Sequence, residues 1–336
     1  MQQTALTTQA GKLFARDLVD GQAVDAVFVV RERARRQKKN GEPFLKLRLG
    51  DASGSIEAVM WDGVDAVEGA CAPGSIVRVT GPFVVDARYG ATLTLRTLRA
   101  ADPAEYRHGD LLEGPLQSCG QMVDDLESLI ATVQHAQLSL LLGRFFGEGA
   151  PTRERWCEAP AAKHYHQAYP HGLLEHCLSV AQGVSALSAT FPGIDRDVAV
   201  TGALLHDIGK IETYASAGEG GAIELTDAGK LQGEIALGYY MVRSAIEEIA
   251  GFPPETAQAL LHIILSHHGQ LEHGSPVVPC TREATLVHMI DNLGGRLGSF
   301  DRIERGLGDG ERWSSFDRAL SSSAYFAPNG SARQAA

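Results

Sequence analysis

The sequence has little cysteine and no long apolar run, and each shortage excludes a class of protein. Its five cysteines are scattered, and no two stand at the CxxC spacing of a thiolate zinc site. This sparse, odd number favours a reducing compartment, so we expect a cytoplasmic protein. No stretch approaches the roughly 20 apolar residues that span a bilayer. The first residues, MQQTALTTQAGKLF, lack the charged head and apolar block of a secretory signal. We therefore expect no membrane association.

A net positive charge is missing too, because acidic residues outnumber basic ones and the net charge is −11. This excludes a chain coated with basic residues, but it leaves room for a local basic patch that steers a polyanion. The length of 336 residues is sufficient for two domains, and 44% hydrophobic residues is ordinary for globular protein. The composition therefore allows two globular domains.

Hydrophobic residues alternate with period two over residues 23–98, which is the pattern of half-buried strands. In FLKLRLGD one face carries leucines and the other carries aromatic and basic side chains: Leu45, Leu47 and Leu49 against Phe44, Lys46 and Arg48. The turn DASGS and the strand IEAVMWD follow, and VDAVFVV, SIVRVTG and ATLTLRTL are further strand-like runs. About five short strands in under ~80 residues predict a small closed barrel, for which an OB-fold is the natural candidate. The alternative is a small β-domain without a ligand.

Helical periodicity begins after the strands. Residues 103–160 predict a linker and a connecting segment, with one helix over 121–146 where apolar residues recur at helical spacing. From 161 to 325 the segments are helix-like, and AVTGALLHDIGK, ETAQALLHIILSHHG and EATLVHMIDNLGGRL are the main ones. The predicted organisation is an N-terminal segment at 1–20, a barrel at 21–102, the connection at 103–160, a helical domain at 161–325 and a disordered tail at 326–336.

Histidine and aspartate residues stand on these apolar helical segments. His206 and Asp207 are adjacent in AVTGALLHDIGK, His176 lies in LLEHCLSVA, and Asp291 lies in HMIDNL. A lone buried histidine is more often a hydrogen-bonded core residue than a ligand. Four such residues on apolar helices favour a metal ion, because burying unpaired charges costs several kcal/mol and a metal removes that cost. A helical bundle can focus such ligands on its core, and this donor set suits Mn, Fe, Co, Ni or Zn, or Mg with more oxygen.

The order of these four residues resembles the H…HD…D pattern of the HD-domain metal phosphohydrolase superfamily. PAAKHYHQAYPHGLLEH, LLHDIGK, LSHHG, GSP and HMIDNLGGRL resemble the YhaM family of 3′→5′ exoribonucleases, and FLKLRLGDASGSIEAVMWD resembles the OB-fold of that family. The resemblance covers roughly residues 20–325. It implies an α+β chain of two domains, a five-stranded OB-fold barrel followed by an all-α HD-domain helical bundle. It also implies a metal-dependent 3′→5′ exoribonuclease that cleaves single-stranded RNA, with single-stranded DNA as a further substrate.

Carried over residue by residue, the resemblance implies that His176, His206, Asp207 and Asp291 hold a first metal ion. His267 or His268 would then contribute to a second ion or contact the scissile phosphate. Glu234 departs from the family, which usually has a histidine there. It could still ligate a metal, or it could be a solvated helix residue, so one or two ions per chain stay open.

The expected cofactor is a divalent ion, with Mn²⁺ first and Co²⁺, Mg²⁺, Fe²⁺ or Ni²⁺ as alternatives. Metal-bound water has a lowered pKa and becomes a nucleophile near neutral pH. Asp207 could bridge two ions or orient this water, and Lys210 can reach a phosphate oxygen as a point charge. The alternative for Lys210 is a surface lysine at a helix end. His166 matches a family histidine and would line the mouth of the site.

The stretch RERARRQKKNGEPF is the most basic in the chain, and we expect it to be a loop between two strands of the OB-fold. It carries Arg31, Arg33, Arg35, Arg36, Lys38 and Lys39. Such folds hold single-stranded RNA or DNA by backbone-tracking charge and stacking aromatics. Phe44 and Trp61 are the stacking candidates, with a core position as the alternative for Trp61. Lys46 and Arg48 add charge to the neighbouring strand face, and a solvated loop without ligand is the alternative for the whole stretch.

Two other functions stay open at this point. One is an HD-domain phosphohydrolase for nucleotides or cyclic nucleotides, against which the barrel and its basic stretch argue. The other is a non-catalytic single-stranded nucleic-acid-binding protein, against which the intact ligand set argues. A homo-oligomer is compatible with all three.

Overall fold

The computed structural model describes residues 13–86, 90–111, 114–115, 117–163, 167–217, 222–305, 307 and 311–327. The chain divides into two units, Met1–Glu113 with Ala217–Ala222, and Gly114–Ser216 with Ile223–Ala336. The fold is α+β, with strands in the first unit and mainly helices in the second. The domain bounds expected from the sequence stay predictions.

The first unit contains a six-stranded sheet. Its strands are β1 (Ala23–Gln37), β2 (Pro43–Asp51), β3 (Gly54–Met60), β4 (Ile76–Asp86), β5 (Gly90–Thr94) and β6 (Thr97–Ala100), with the short helix α1 (Val64–Val67) between β3 and β4. β1 pairs antiparallel with β2 and β4, β2 with β3, and β4 with β5, while β3 and β5 are parallel. Five strands therefore close a barrel in the order β1-β2-β3-β5-β4, which is the expected OB-fold.

The sixth strand is a correction to the sequence prediction, which treated ATLTLRTL as one strand. β5 and β6 both pair with the same strand, β4, at Phe83–Asp86 and at Val77–Thr80. Between them the chain approaches β4 closely at Gly81, where a Cβ atom would lie 2.0 Å from the carbonyl oxygen of Thr94. Only glycine permits this approach, which lies where the run divides into two strands.

The barrel core follows from the alternation in β2. Leu45, Leu47 and Leu49 are at most 1% exposed, whereas Lys46 on the opposite face is exposed. Burying each leucine contributes about 1.5–3 kcal/mol. This face of β2 therefore fixes the register of the strand, because a shift by one residue would place lysine in the core.

The second unit is built mainly from helices, and a short two-stranded sheet follows the helix that ends at Thr213. In the described residues these are α2 (Cys119–Ile130), α3 (Ala136–Phe146), α4 (Pro151–Glu158), α5 (Gly172–Ser188), α6 (Arg196–Leu205), α7 (Lys210–Thr213), β7 (Tyr214–Ala217), β8 (Ala222–Leu225), α8 (Asp227–Gln232), α9 (Glu234–Glu247), α10 (Pro254–Ser266) and α11 (Arg282–Arg305). None of these helices has the length and apolarity needed to cross a membrane.

The single helix expected over 121–146 is wrong, because the structure has two helices there. The Asp197 carboxylate accepts backbone hydrogen bonds from Gln134 (2.7 Å) and His135 (2.8 Å). His135 then caps α3 by accepting a bond from the Leu138 N–H. The break is thus held by a residue more than sixty positions away, which a local periodicity cannot reveal.

Candidate metal centre

The HD pair stands at the end of helix α6, which is buried along most of its length. Every residue of α6 from Val198 to Leu205 is buried, and His206 to Gly209 form the turn that follows. A Cβ atom on Gly209 would lie 2.0 Å from the Glu234 carbonyl oxygen and 2.6 Å from the Gly238 nitrogen. Glycine at 209 therefore lets the backbone of α9 pack directly on the turn, which brings Glu234 close to the HD pair.

The structure brings together the four residues predicted to hold the first ion. His176 Nε2, from α5, lies 3.2 Å from Asp291 Oδ1, from α11, and 3.3 Å from Asp207 Oδ2. His206 Nε2 lies 3.2 Å from His176 Nε2 and 3.3 Å from Asp207 Oδ2. Donor atoms of His176, His206 and Asp291 all lie within 4.8 Å of one another. Two helices and a turn thus direct nitrogen and carboxylate oxygen into one small buried space.

Backbone carbonyls orient the histidines of this space. His206 and His267 each donate from Nδ1 to the carbonyl oxygen three residues earlier, at 2.7 and 2.8 Å. His268 donates from Nδ1 to the His273 carbonyl oxygen at 2.9 Å. With Nδ1 protonated, Nε2 carries the lone pair, which is the form that binds a metal.

Two atoms at the centre have no hydrogen-bond partner among the residues that the structure describes. Asp207 Oδ1 and His267 Nε2 are both buried and unsatisfied, and they lie 3.5 Å apart. A carboxylate oxygen and an imidazole lone pair are both acceptors, so neither satisfies the other. Buried orphans of this kind cost free energy unless a cation lies against them. The donor set and these two atoms fit a divalent metal ion.

Neighbouring charges shift the pKa values of residues in the cluster. Burial disfavours the imidazolium of His176, but the carboxylates of Asp207 and Asp291 outweigh it and raise the pKa of His176 to about 9. Burial also opposes ionisation of Asp207, but Lys210 and the neighbouring histidines hold the pKa of Asp207 well below its usual range. Without a divalent cation, protons and Lys210 balance the buried carboxylates.

Lys210 is not the surface lysine of the alternative. Its Nζ lies 2.6 Å from Asp207 Oδ2, and its side chain is only 14% exposed. Burial opposes its charge, yet the Asp207 carboxylate raises the pKa of Lys210 above its usual value. The lysine therefore stays charged and pairs with Asp207 Oδ2, whereas His267 lies nearest the other carboxylate oxygen, Oδ1.

The residues predicted for a second ion lie beside the first group. His268 Nε2 lies 3.6 Å from Glu234 Oε1, and the His268 ring lies 4.4 Å from that of His267 between centroids. The side chains of His268 and Glu234 are each about three-quarters buried. Burial and the adjacent His267 lower the pKa of His268. Glu234 is thus not a fully solvated helix residue.

Sequence reasoning did not single out Cys177 as a residue of the centre, and one predicted residue lies outside the described part. A donor atom of Cys177 falls within 4.8 Å of donors of His206 and Asp207, but burial raises the pKa of its thiol well above the usual value, so it is a poor ligand. His288 donates from Nδ1 to the His267 carbonyl oxygen at 2.7 Å and braces that residue. His166 lies outside the described residues.

The predicted basic loop of the barrel is mostly strand, which corrects the sequence prediction. β1 pairs with β2 as far as Gln37 and Pro43, and the turn is closed by the bond from Lys38 N to Glu42 O at 2.8 Å. Arg31, Arg33, Arg35 and Arg36 therefore lie on β1. The alternation of a strand is hidden here, because arginine occupies both faces.

Most of the cations predicted to bind nucleic acid, on β1, on the turn that follows it and on β2, have partners. Arg35 pairs with Asp65 and Glu68, Lys38 with Glu42 and Asp62, Lys46 with Glu57, and Arg48 with Glu32 and Glu57. Arg31 and Arg33 donate to the carbonyl oxygens of Leu111 and Glu68. Within the described residues, only Arg36 and Lys39 of the predicted set make no ion pair or side-chain hydrogen bond. The local charge is therefore lower than the sequence suggests.

The chain is also similar in sequence to known proteins. Residues 173–295 match the HD domain family model. The chain is 32% identical over 292 residues to the 3′-5′ exoribonuclease YhaM of Bacillus subtilis, covering 87% of this chain and 90% of that protein. It is 30% identical over 312 residues to the YhaM of Shouchella clausii, covering 92% and 94%. The chain belongs to the YhaM family.

A solved OB-fold domain of replication protein A from Methanococcus maripaludis superposes on 27% of this chain and 96% of that domain, with 18% identity and a TM-score of 0.23. That score is too low to bear on function. In this YhaM-family chain the HD match contains every predicted metal ligand: His176, His206, Asp207, Glu234, His267, His268 and Asp291.

The two aromatic candidates of this YhaM-family chain lie together on the barrel. Phe44 and Trp61 stack with ring centroids 4.8 Å apart and planes at 30°. Trp61 is 44% exposed, so the core position considered for it is wrong. The pair offers a flat apolar surface next to the turn that carries Lys39.

Proposed function

We propose that this chain is a metal-dependent 3′→5′ exonuclease that removes nucleotides from single-stranded RNA, with single-stranded DNA as a second substrate. The observation that carries the proposal is the pair of orphaned acceptors, Asp207 Oδ1 and His267 Nε2, at the centre of a buried His/Asp cluster. The length of the match to 3′-5′ exoribonucleases supports the direction and the substrate.

In this proposal His176, His206, Asp207 and Asp291 hold one divalent ion. A bound ion of this kind stabilises negative charge on a phosphate and makes water a stronger acid. Asp207 presents its second oxygen toward His267, so the same carboxylate can serve a neighbouring position. Lys210 fixes that carboxylate and keeps a positive charge beside the cluster, where the phosphate of a substrate would lie.

The second position would be held by His267, His268 and Glu234. Glutamate in place of histidine makes this position richer in oxygen, which favours harder ions. We therefore place Mn²⁺ first among the candidate ions, ahead of Co²⁺, Fe²⁺ and Ni²⁺, with Mg²⁺ as the oxygen-preferring alternative. Since all five cysteines are free thiols, we also place the activity in the cytoplasm.

The barrel would hold the strand that the helical unit cuts. The stack of Phe44 and Trp61 offers a face for a base, and Arg36 and Lys39 offer charges for phosphates. The paired cations Arg31, Arg33, Arg35, Lys38, Lys46 and Arg48 would contribute less, because a phosphate must displace a carboxylate or carbonyl first.

The test uses a 5′-labelled single-stranded RNA and a copy blocked at its 3′ end, each with Mn²⁺ and with EDTA. We expect a descending ladder that disappears with EDTA, with the 3′ block and in Asp207→Asn. Asp227→Asn is the matched control, because its side chain is 95% exposed on α8. A ladder that persists in Asp207→Asn, or that starts from internal cuts on the blocked RNA, would overturn the proposal.

A second candidate is a phosphohydrolase for nucleotides or cyclic nucleotides. The observation that favours it is the neutralisation of the basic strand, since a small substrate does not need the barrel charges. If RNA stays intact and a nucleotide panel is hydrolysed by the wild type but not by Asp207→Asn, this second candidate holds.

A further inference from the structure

The last described segment of the second unit folds back on itself as a hairpin. This C-terminal hairpin, residues 311–327, is closed by bridges between Trp313 and Tyr325 and between Asp317 and Ser322. Its backbone bonds include Asp317 N to Ser322 O and Phe326 N to Arg312 O, at 2.9 and 2.8 Å. Phe326 is the first residue of the tail expected from the sequence, and residues 328–336 lie outside the described part.

The hairpin is fixed to helix α11. Arg302 Nη2 lies 2.6 Å from Asp317 Oδ2, and this guanidinium lowers the pKa of the Asp317 carboxyl. The Phe300 and Phe326 rings meet edge to face at 6.2 Å, and Leu320 is buried. Several independent contacts thus hold the segment in one conformation.

Three of its large aromatic side chains are nevertheless exposed. Trp313 is 62% exposed, Phe316 66% and Tyr325 48%. The Trp313 and Tyr325 rings lie 4.9 Å apart and leave much of their surface open to solvent. A fixed segment that presents three aromatics outward is a binding surface rather than a core element.

Unpaired positive charge flanks these rings. Arg312 and Arg318 are exposed, and in the part of the chain that the structure describes their side chains make no ion pair or hydrogen bond. The arginine Arg35 of the barrel, in contrast, has two carboxylate partners. An apolar protein partner would cover the rings but would leave two guanidinium groups desolvated without a counter-charge. A single strand satisfies both, because its bases stack on rings and its phosphates pair with arginine.

The hairpin also shares a helix with the metal centre. α11 carries Asp291, and Arg302 of the same helix holds the hairpin through Asp317. At a rise of 1.5 Å per residue, this anchor lies about 16 Å along the helix axis from Asp291. A strand with one end at the metal centre would therefore have the hairpin within reach of a few nucleotides.

We propose that the C-terminal hairpin is a second single-stranded nucleic-acid site, in which Trp313 and Tyr325 stack on bases and Arg312 and Arg318 bind phosphates. The proposal rests on the proposed function for its choice of RNA as the ligand. Its geometry lies entirely within the second unit and does not depend on the barrel.

Binding is measured by fluorescence anisotropy of a labelled oligouridine RNA, with the full chain in EDTA. For the double variant Trp313→Ala/Tyr325→Ala we expect roughly 10-fold weaker affinity. Trp313→Phe should retain most of the affinity, since it keeps a ring. Arg312→Ser/Arg318→Ser should reduce the salt dependence of binding by about one to two phosphate contacts. Tyr240→Ala is the matched control, because it removes a 70% exposed aromatic from α9 of the same unit.

A second readout does not depend on removing the rings. The chain has three tryptophans, and Trp156 is fully buried. In Trp61→Phe the indole of Trp313 is therefore the one that RNA can reach, and we expect RNA to quench its emission. Absence of quenching, together with wild-type affinity in both double variants, would overturn the proposal.

Parallel cleavage assays with Mn²⁺ separate the two proposals. If RNA is degraded but the hairpin variants bind it normally, the hairpin site fails and the exonuclease stands. If the variants lose RNA affinity but the wild type cleaves no RNA, the hairpin site stands and the exonuclease proposal fails. If the hairpin substitutions change the mass of the protein in light scattering but leave its RNA affinity unchanged, the surface binds another copy of the chain and the proposal is wrong.

Discussion

The metal centre and the basic strand β1 both gather charge, but they satisfy it in opposite ways. In the metal centre the groups are buried, and two acceptors, on Asp207 and His267, have no hydrogen-bond partner within the described part of the chain. On the barrel the cations are largely exposed, and carboxylates or backbone carbonyl groups of the same unit bind most of them. The difference shows which cluster needs something from outside the chain. Buried orphans require a cation, whereas paired surface charges are already satisfied by water and by each other.

The largest expected effect comes from removing a positive charge in the buried metal centre. Lys210→Met leaves Asp207 buried without its closest positive charge, so we expect about 3–5 kcal/mol lower stability in the metal-free protein. Lys210→Arg keeps the charge and should lose much less. Urea unfolding of the EDTA-treated proteins measures both. Equal stability of Lys210→Met and wild type would mean that the buried carboxylate does not depend on its lysine.

Adding a divalent cation should stabilise the same cluster. At a free Mn²⁺ concentration 100 times the dissociation constant, we expect about 2.7 kcal/mol of added stability, visible as a rise in Tm. Asp207→Asn should abolish the rise, and Asp227→Asn should keep it. A rise of the same size in both variants would place the ion elsewhere.

The exposed side is tested through salt. Arg36→Ser/Lys39→Ser removes two barrel cations that have no partner among the described residues, so the slope of log affinity for RNA against log salt should become shallower by about two contacts. Arg35→Ser/Lys46→Ser removes two paired cations and should change the slope less. Equal slopes for the two double variants would show that pairing does not withhold charge from RNA.

The smallest effect concerns pH at the barrel surface. Hydrogen bonds from the Arg99 guanidinium and the Asp102 backbone N–H lower the pKa of Glu105 to about 2, below its ordinary value of 4.5. A lowered carboxyl pKa adds stability above the ordinary value, and this is lost as the pH falls from about 5 toward 2. Glu105→Gln should therefore weaken hydrogen-exchange protection of β6 at pH 7, after correction for intrinsic rates. The difference from wild type should shrink in acid, and a constant difference would contradict this account.

The sequence predicted the parts of this molecule that depend on local pattern. The two faces of β2 followed from the alternation of leucine with charged residues, and the order of His176, His206, Asp207 and Asp291 marked the residues that the structure brings together. These features are visible because each arises from spacing within one element or from an ordered set of chemically unusual residues.

What the sequence could not show depends on partners far along the chain. β1 was taken for a loop after Arg31, because the carboxylates that neutralise it, such as Asp65 and Glu68, come from beyond β3. The helix over 121–146 was taken as continuous because Asp197, which holds the break, lies on α6. The orphaned atoms of the metal centre likewise depend on side-chain directions that spacing does not specify.

Gly209 lies where the HD turn and the start of α9 are in direct contact. A single added methyl group would meet the α9 backbone at 2.0 Å, so it would act as a wedge between the HD turn and the start of that helix. Glu234 would be displaced, while His176 and Asp291, on other helices, would keep their places. The smallest possible enlargement of this side chain could therefore separate the binding of one ion from the binding of two, without touching any ligand.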